Sequence, residues 1–203
     1  VCIVVAVLFC PSAYGKARPI RLLVAVGNNQ GLPAEVTLRY AEQDAQTYAD
    51  TFLRHGELQP ENARTLLGAS AQELEDALLA VGRQASEHQG NVILLFYYSG
   101  HGSSTHLHVG KDRFELERLE TLLKEVPAQL RVSVIDACRS RGDVTAKGFR
   151  PVEAFSLNLE APSGVSGTVT LRSSSDGEQS QESEQLGGAI FTHYFLTALL
   201  GAA

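Results

Sequence analysis

Cysteine is scarce in this chain. There are three in 203 residues, and Cys2 and Cys10 lie in the first ten, which leaves Cys138 as the one thiol of the remainder. A lone thiol closes no internal disulfide, so a disulfide-stapled scaffold is excluded, and a chain of this length buries a core without staples. Basic charge is also thin. Lys and Arg number 17 against 23 Asp and Glu, for a net charge of −6, and the basic residues are scattered rather than clustered. A surface that tracks phosphates needs clustered cations, so nucleic acid is not an expected partner. Long apolar runs are missing too. The run "VCIVVAVLFC", Val1 to Cys10, is ten residues, short of the roughly 20 that span a bilayer, and no stable membrane span is expected.

Small and turn-forming residues follow that run in "PSAYGKARP", a pattern that fits the core and cleavage region of a secretory signal. Residues 1–15 are therefore expected to be a leader cut after Gly15, with the protein secreted or periplasmic and residues 16–203 forming the working domain. No basic segment precedes the apolar run, and the chain stops on "LLGAA" straight after a helical pattern, so both ends are expected to be truncated. In an exported protein an unpaired Cys138 is either a reactive thiol or a small buried hydrophobe.

What the chain does have is alternation. "IRLLVAVG" (20–27) predicts a strand that ends in the turn-rich "GNNQGLP". From Leu38 to Leu53 the positions Ala41, Ala45, Tyr48, Ala49 and Phe52 share one helical face, with Asp44 at its edge. "ARTLLG" predicts a second strand. Ser70 with Glu73 three residues on predicts a capped helix bearing the stripe Leu74, Leu78, Val81, Ala85. "NVILLFYY" lacks polar alternation, as a central parallel strand covered on both faces does. A polar segment, the helix "ELERLETLLKEV", the strand "RVSVIDAC", a loop rich in Gly, Pro and Ser over roughly 139–167, the strand "GTVTLRSSS" and the helix "AIFTHYFLTALL" complete the chain. This order predicts an α/β fold of three layers with a mostly parallel central sheet. Ligands of such sheets bind beyond the carboxyl ends of the strands. His101 is expected just past the end of the third strand and Cys138 just past the end of the fourth, so both reach one edge.

A cysteine attacks a carbonyl as thiolate, and a nearby histidine is the usual base. His101 sits between Gly100 and Gly102, where bare backbone can approach a substrate and aim the Gly102 N–H at a developing oxyanion, with the Cys138 amide as second donor. The alternative is a histidine in an ordinary turn.

The segments "YYSGHGS" and "VIDACRSRG" together resemble the caspase and metacaspase group of cysteine proteases, and the similarity runs through "AEQDAQTYADTF", "SSSDGEQSQES" and "GGAIFTHYFLTALLGAA", about residues 20–203. Asp136-Ala137-Cys138-Arg139, with Asp leading, is closer to metacaspases and bacterial caspase-like proteins than to the animal Gln-Ala-Cys-Arg-Gly signature. The resemblance implies that Cys138 is the nucleophile and His101 the base and later acid, a dyad with no third side chain evident. It also implies that Asp44, Ser99 and Asp136 line the primary specificity pocket. Two carboxylates in a half-buried slot want a cation between them, so protein or peptide substrates cut after Arg or Lys are expected. Arg141, Lys147 and Arg150 are then candidate self-cleavage sites, and "RSSSDGEQS" would shape outer subsites by strand addition.

His106 and His108 flank Leu107 without a Cys or acidic partner at a ligand spacing, so they are expected to be solvated and no metal site is expected. Metacaspases activated by calcium use loop aspartates; this chain offers Asp112 and Asp143 singly, and no cofactor is expected. "RGD" at 141–143 is too short to carry an adhesion role. The rival functions are a catalytically silent caspase-like module that binds peptides, another protease of the wider clan such as a gingipain- or separase-like enzyme, and a nucleotide-binding domain, for which "GNNQGLP" lacks the Gly-x-Gly-x-x-Gly pattern.

Overall fold

The computed structural model describes residues 18–137, 167–173 and 182–201. In chain order the strands are β1 (Ile20–Gly27), β2 (Ala63–Leu67), β3 (Val92–Gly102), β4 (His106–Val109), β5 (Asp112–Glu115), β6 (Leu130–Ala137), β7 (Gly167–Arg172), β8 (Glu182–Ser183) and β9 (Gly188–Ala189). The helices are α1 (Ala41–His55), α2 (Ala71–Ser86), α3 (Leu116–Glu125) and α4 (Ile190–Leu199). Strands β2, β1, β3, β6 and β7 lie side by side and parallel. The β4–β5 hairpin adds antiparallel to the far end of β3, and β8 with β9 forms a separate two-stranded ribbon.

The expected three layers are present. In β1 and β3, alternate side chains enter two separate cores. Leu22, Val24, Val26, Leu94, Phe96 and Tyr98 meet the stripes of α2 and α3 on one face. Leu23, Ala25, Leu95 and Tyr97 meet α1 and α4 on the other. Strands buried on both faces have no reason to alternate in polarity, which is why "VILLFYY" reads as a continuous apolar run. Fully burying one Leu or Phe contributes about 1.5–3 kcal/mol, and the two sheets of contact lock the strand ends in place. Ser70 caps α2 with the reciprocal Glu73 bond that its spacing predicts.

Three local expectations are corrected. The third strand does not stop at Tyr98; it continues through His101 to Gly102, because past Gly100 it leaves its parallel neighbours and pairs with β4, His101 opposite His108 and Gly102 opposite Leu107. The polar segment after it, expected to hold His106 and His108 in solvent, is a hairpin whose first strand buries His108. Helix α1 starts at Ala41 rather than Leu38, since the amides of Arg39 and Tyr40 are taken by the Glu182 carboxylate instead of entering a helical turn.

Candidate active site

His101 is held in β3 by its backbone. The Tyr98 hydroxyl arches over Gly100 and shares its one hydrogen between the carbonyls of His101, at 2.7 Å, and His108, at 2.9 Å. A Cβ on residue 100 would lie 2.6 Å from that hydroxyl, so only glycine fits beneath the arch. The imidazole points toward the loop between β1 and α1, where Nε2 lies 2.7 Å from the Val36 carbonyl oxygen. A carbonyl only accepts, so Nε2 carries the hydrogen, and in the neutral ring Nδ1 keeps the lone pair. This partner could not be found from sequence, because it is a backbone atom whose side chain is 82% exposed.

Register places the other candidates. Ser99 pairs with Gly27 of β1 on one side and Asp136 of β6 on the other, and Gly100 pairs with Ala137, the residue before Cys138. Cys138 lies outside the described residues, as do Arg139 to Ser166, Asp143 and the "RGD" run among them, the candidate cleavage sites Arg141, Lys147 and Arg150, residues 174–181 and the apolar segment 1–17. Gly102 is buried at the end of β3.

Asp44, Ser99 and Asp136 do converge. Asp44 projects from the first turn of α1 and is 5% exposed; Asp136 is 2% exposed at the end of β6. The Ala189 amide donates to Asp44 Oδ2 at 3.0 Å. Thr192, three residues later on α4, donates from Oγ1 to Asp136 Oδ2 at 2.7 Å. With its single hydrogen committed there, Thr192 Oγ1 accepts from the Tyr97 hydroxyl at 2.6 Å. Burial pushes the Asp44 carboxyl up to about 7; the Asp136 and Glu182 carboxylates push the same way, while the Ala189 amide and the Ser99 hydroxyl favour the charged form. Burial, with Asp136 and Asp44 adding to it, likewise holds the Tyr97 phenol protonated. Two buried carboxylates close enough for Asp136 to disfavour the charge on Asp44 are stabilised by a cationic group between them. Thr192 and Ala189 were missed in the sequence; Thr192 is one of three hydroxyl residues in the run "AIFTHYFLTALL", and nothing local sets it apart from Tyr194 and Thr197.

The solvated assignment of the two other histidines holds for one of them. His106 is partly exposed beside Thr105. His108 is 6% exposed, and its Nδ1 meets Glu35 Oε1 at 2.6 Å. Asp112 accepts from the first amide of α2, Ala71 N, at 3.4 Å. Among the described residues no group of three or more His, Cys, Asp or Glu is placed to hold a metal ion, and no helix is long and apolar enough to cross a membrane.

A parallel three-layer sheet that delivers a histidine and an acidic slot to its carboxyl edge, beside the residue preceding a cysteine, defines an α/β domain of the caspase-like type. The caspase domain model of the C14 peptidases matches residues 20–203, and the chain belongs to that family of clan CD cysteine proteases. Among solved structures it is similar to caspase-1 from Spodoptera frugiperda, at 13% identity and a TM-score of 0.63, over 92% of this chain and 70% of that one, a likeness of fold. A search of curated proteins gave no match.

Proposed function

We propose that this protein is a cysteine endopeptidase that cuts proteins after Arg or Lys, with His101 and Cys138 as its dyad. The observation that carries the specificity is the buried pair Asp44 and Asp136 within one slot with Ser99, beside His101. An Arg or Lys side chain entering the slot supplies the cation the two carboxylates lack, whereas an acidic side chain would add a third negative charge. The observation that supports the chemistry is the His101–Val36 contact, which leaves Nδ1 as the basic nitrogen.

In this reading the Cys138 thiol gives its proton to His101 Nδ1, and the thiolate attacks the carbonyl that follows the basic residue. The oxyanion is met by the amides of Gly102 and Cys138. His101 returns the proton to the departing amine as the C–N bond breaks, leaving a thioester. It then takes a proton from water, whose oxygen attacks the thioester and releases the acid and the free thiol. Calcium has no step here. Export by the apolar segment 1–15 belongs to the same proposal and rests on the sequence alone.

The test is cleavage of peptides ending in Arg, Lys or Asp before a fluorogenic amide, with and without calcium, beside Cys138→Ala and His101→Ala. Arg and Lys cleavage abolished in both variants is the expected result. Preference for Asp overturns the slot assignment, and an inert wild-type protein that still binds Arg peptides favours the silent peptide-binding module.

A further inference from the structure

The loop between β1 and α1 carries the carbonyl that orients His101, yet almost nothing apolar holds it. None of residues 29–40 is buried. Beneath it lies a polar cavity of about 420 Å³, lined by Asn29, Gln30, Thr37 and Glu42 among others. Its ends are tied down, Asn29 to Glu42 and Arg39 and Tyr40 to Glu182. The bonds from Glu35 to Leu32 and from Leu38 to Asn29 only shape it internally. Among the described residues, the middle of the loop reaches the sheet through two hydrogen bonds, Val36 to His101 and Glu35 to His108.

The second contact is the firmer. His108 is buried, its ring donates from Nδ1 to Glu35 Oε1 at 2.6 Å, and Glu35 Oε2 accepts the Leu32 amide at 2.7 Å, so one carboxylate joins loop and sheet. His108 lies directly opposite His101 across β3 and β4, and the Tyr98 hydroxyl binds both of their carbonyls, so the two histidines share one rigid base. Gly31 fills the space between. A Cβ there would lie 2.6 Å from His101 Cδ2 and 2.2 Å from Glu35 Oε2, so the carboxylate sits just across the Gly31 backbone from the imidazole. The other charged group facing His108 is Arg113, its exposed partner on β5.

We propose that Glu35 and His108 are positioning residues for His101: their hydrogen-bonded pair holds the Val36 carbonyl against Nε2 and so keeps Nδ1 free as the base. This rests on the dyad proposed above.

The experiment uses the full chain and two readouts, the pH dependence of Cys138 alkylation by iodoacetamide, located by mass spectrometry, and kcat and KM on an Arg peptide amide. Wild-type Cys138 is expected to react as a thiolate below the ordinary cysteine range of about 8.5. Glu35→Ala and His108→Phe, which keeps the buried volume, are expected to move that profile upward and to lower kcat about tenfold or more, with KM within about twofold. The double variant is expected to be no worse than either single one. His108→Gln, which retains an N–H for Glu35, is expected to recover most of kcat. Unshifted profiles, additive losses, or a fall in Tm with unchanged kinetics per folded molecule overturn the inference. If wild-type Cys138 alkylates as an ordinary thiol, the dyad itself fails and this inference with it, an outcome distinct from a normal wild type with silent variants.

Discussion

The amide of Ala189 donates to Asp44 Oδ2 at 3.0 Å, joining residues 145 positions apart and bringing the start of α4 onto the first turn of α1. Through this bond the last strand of the β8–β9 ribbon lies against the Asp44 carboxylate. Asp44 is thereby cut off from water, and its charge becomes a function of pH in the physiological range.

The first prediction concerns binding of a basic substrate. Burial raises the Asp44 carboxyl to about 7, so it is protonated below that pH and charged above it. A cationic side chain binds the charged form. KM for Arg peptides is therefore expected to rise as pH falls through 7, by up to about tenfold per unit, and substrate binding near pH 7 should release a proton. Initial rates across the range from about pH 5.5 to 8.5 read this directly. A KM flat through neutrality would remove Asp44 from the slot.

Stability gives a second prediction with the opposite sign for function. The folded state holds the Asp44 proton up to about 7, whereas the unfolded chain loses it near 3.8. Folding stability from this group therefore declines as pH climbs from about 4 to 7 and stays low above. Asp44→Asn carries no charge to bury. It is expected to be more stable to unfolding than wild type at pH 8, by on the order of a few kcal/mol, and to match it near pH 4. The same variant should lose Arg cleavage, the trade expected where a strained charge serves binding.

Thr192→Val keeps shape and removes a hydroxyl. Asp136 loses one donor and the Tyr97 hydroxyl one partner, both inside the core. Losing a hydrogen bond to a charged group costs about 1.5–3 kcal/mol. A lowered urea midpoint together with a raised KM for Arg peptides is the expected pair of results; loss of stability alone would mean that Asp136 does not face substrate.

Gly100→Ala tests the arch over His101. The new methyl would sit 2.6 Å from the Tyr98 hydroxyl, so the strand end must shift, and a misplacement of about 1 Å at a reacting group costs on the order of a hundredfold. Activity is expected to fall by that order. Adding Tyr98→Phe, which removes the obstructing oxygen, should return part of it. A fully active Gly100→Ala protein would show that the end of β3 needs no such constraint.

Much of the fold was legible because it is written locally. The stripe Leu74, Leu78, Val81, Ala85, the capping pair Ser70 and Glu73, and the unbroken apolar run of β3 each reflect a period or a spacing within one element. The β4–β5 hairpin was not legible: four residues each of mixed polarity carry no period long enough to register, and the pair forms because the end of β3 offers an open edge. His108 looked solvated for the same reason. No acidic partner stands at a ligand spacing from it in sequence, and the carboxylate it meets, that of Glu35, lies 73 residues earlier in the chain. At the site, periodicity put Asp44 at the edge of the helical stripe, and the similarity of motifs alone singled it out.

The sequence by itself determined the alternation of strand and helix, which faces are apolar, and that His101 and Asp136 close their strands at one edge, since these follow from periodicity and from the handedness of parallel crossovers. Only the tertiary structure decided the rest: that Ala189 and Thr192 return from the end of the chain to the two carboxylates, that burial raises Asp44 toward neutrality, and that Val36 holds one nitrogen of His101. Hydrogen bonds to backbone atoms and the loss of water around a charge depend on distance in space, and no spacing along the chain encodes them.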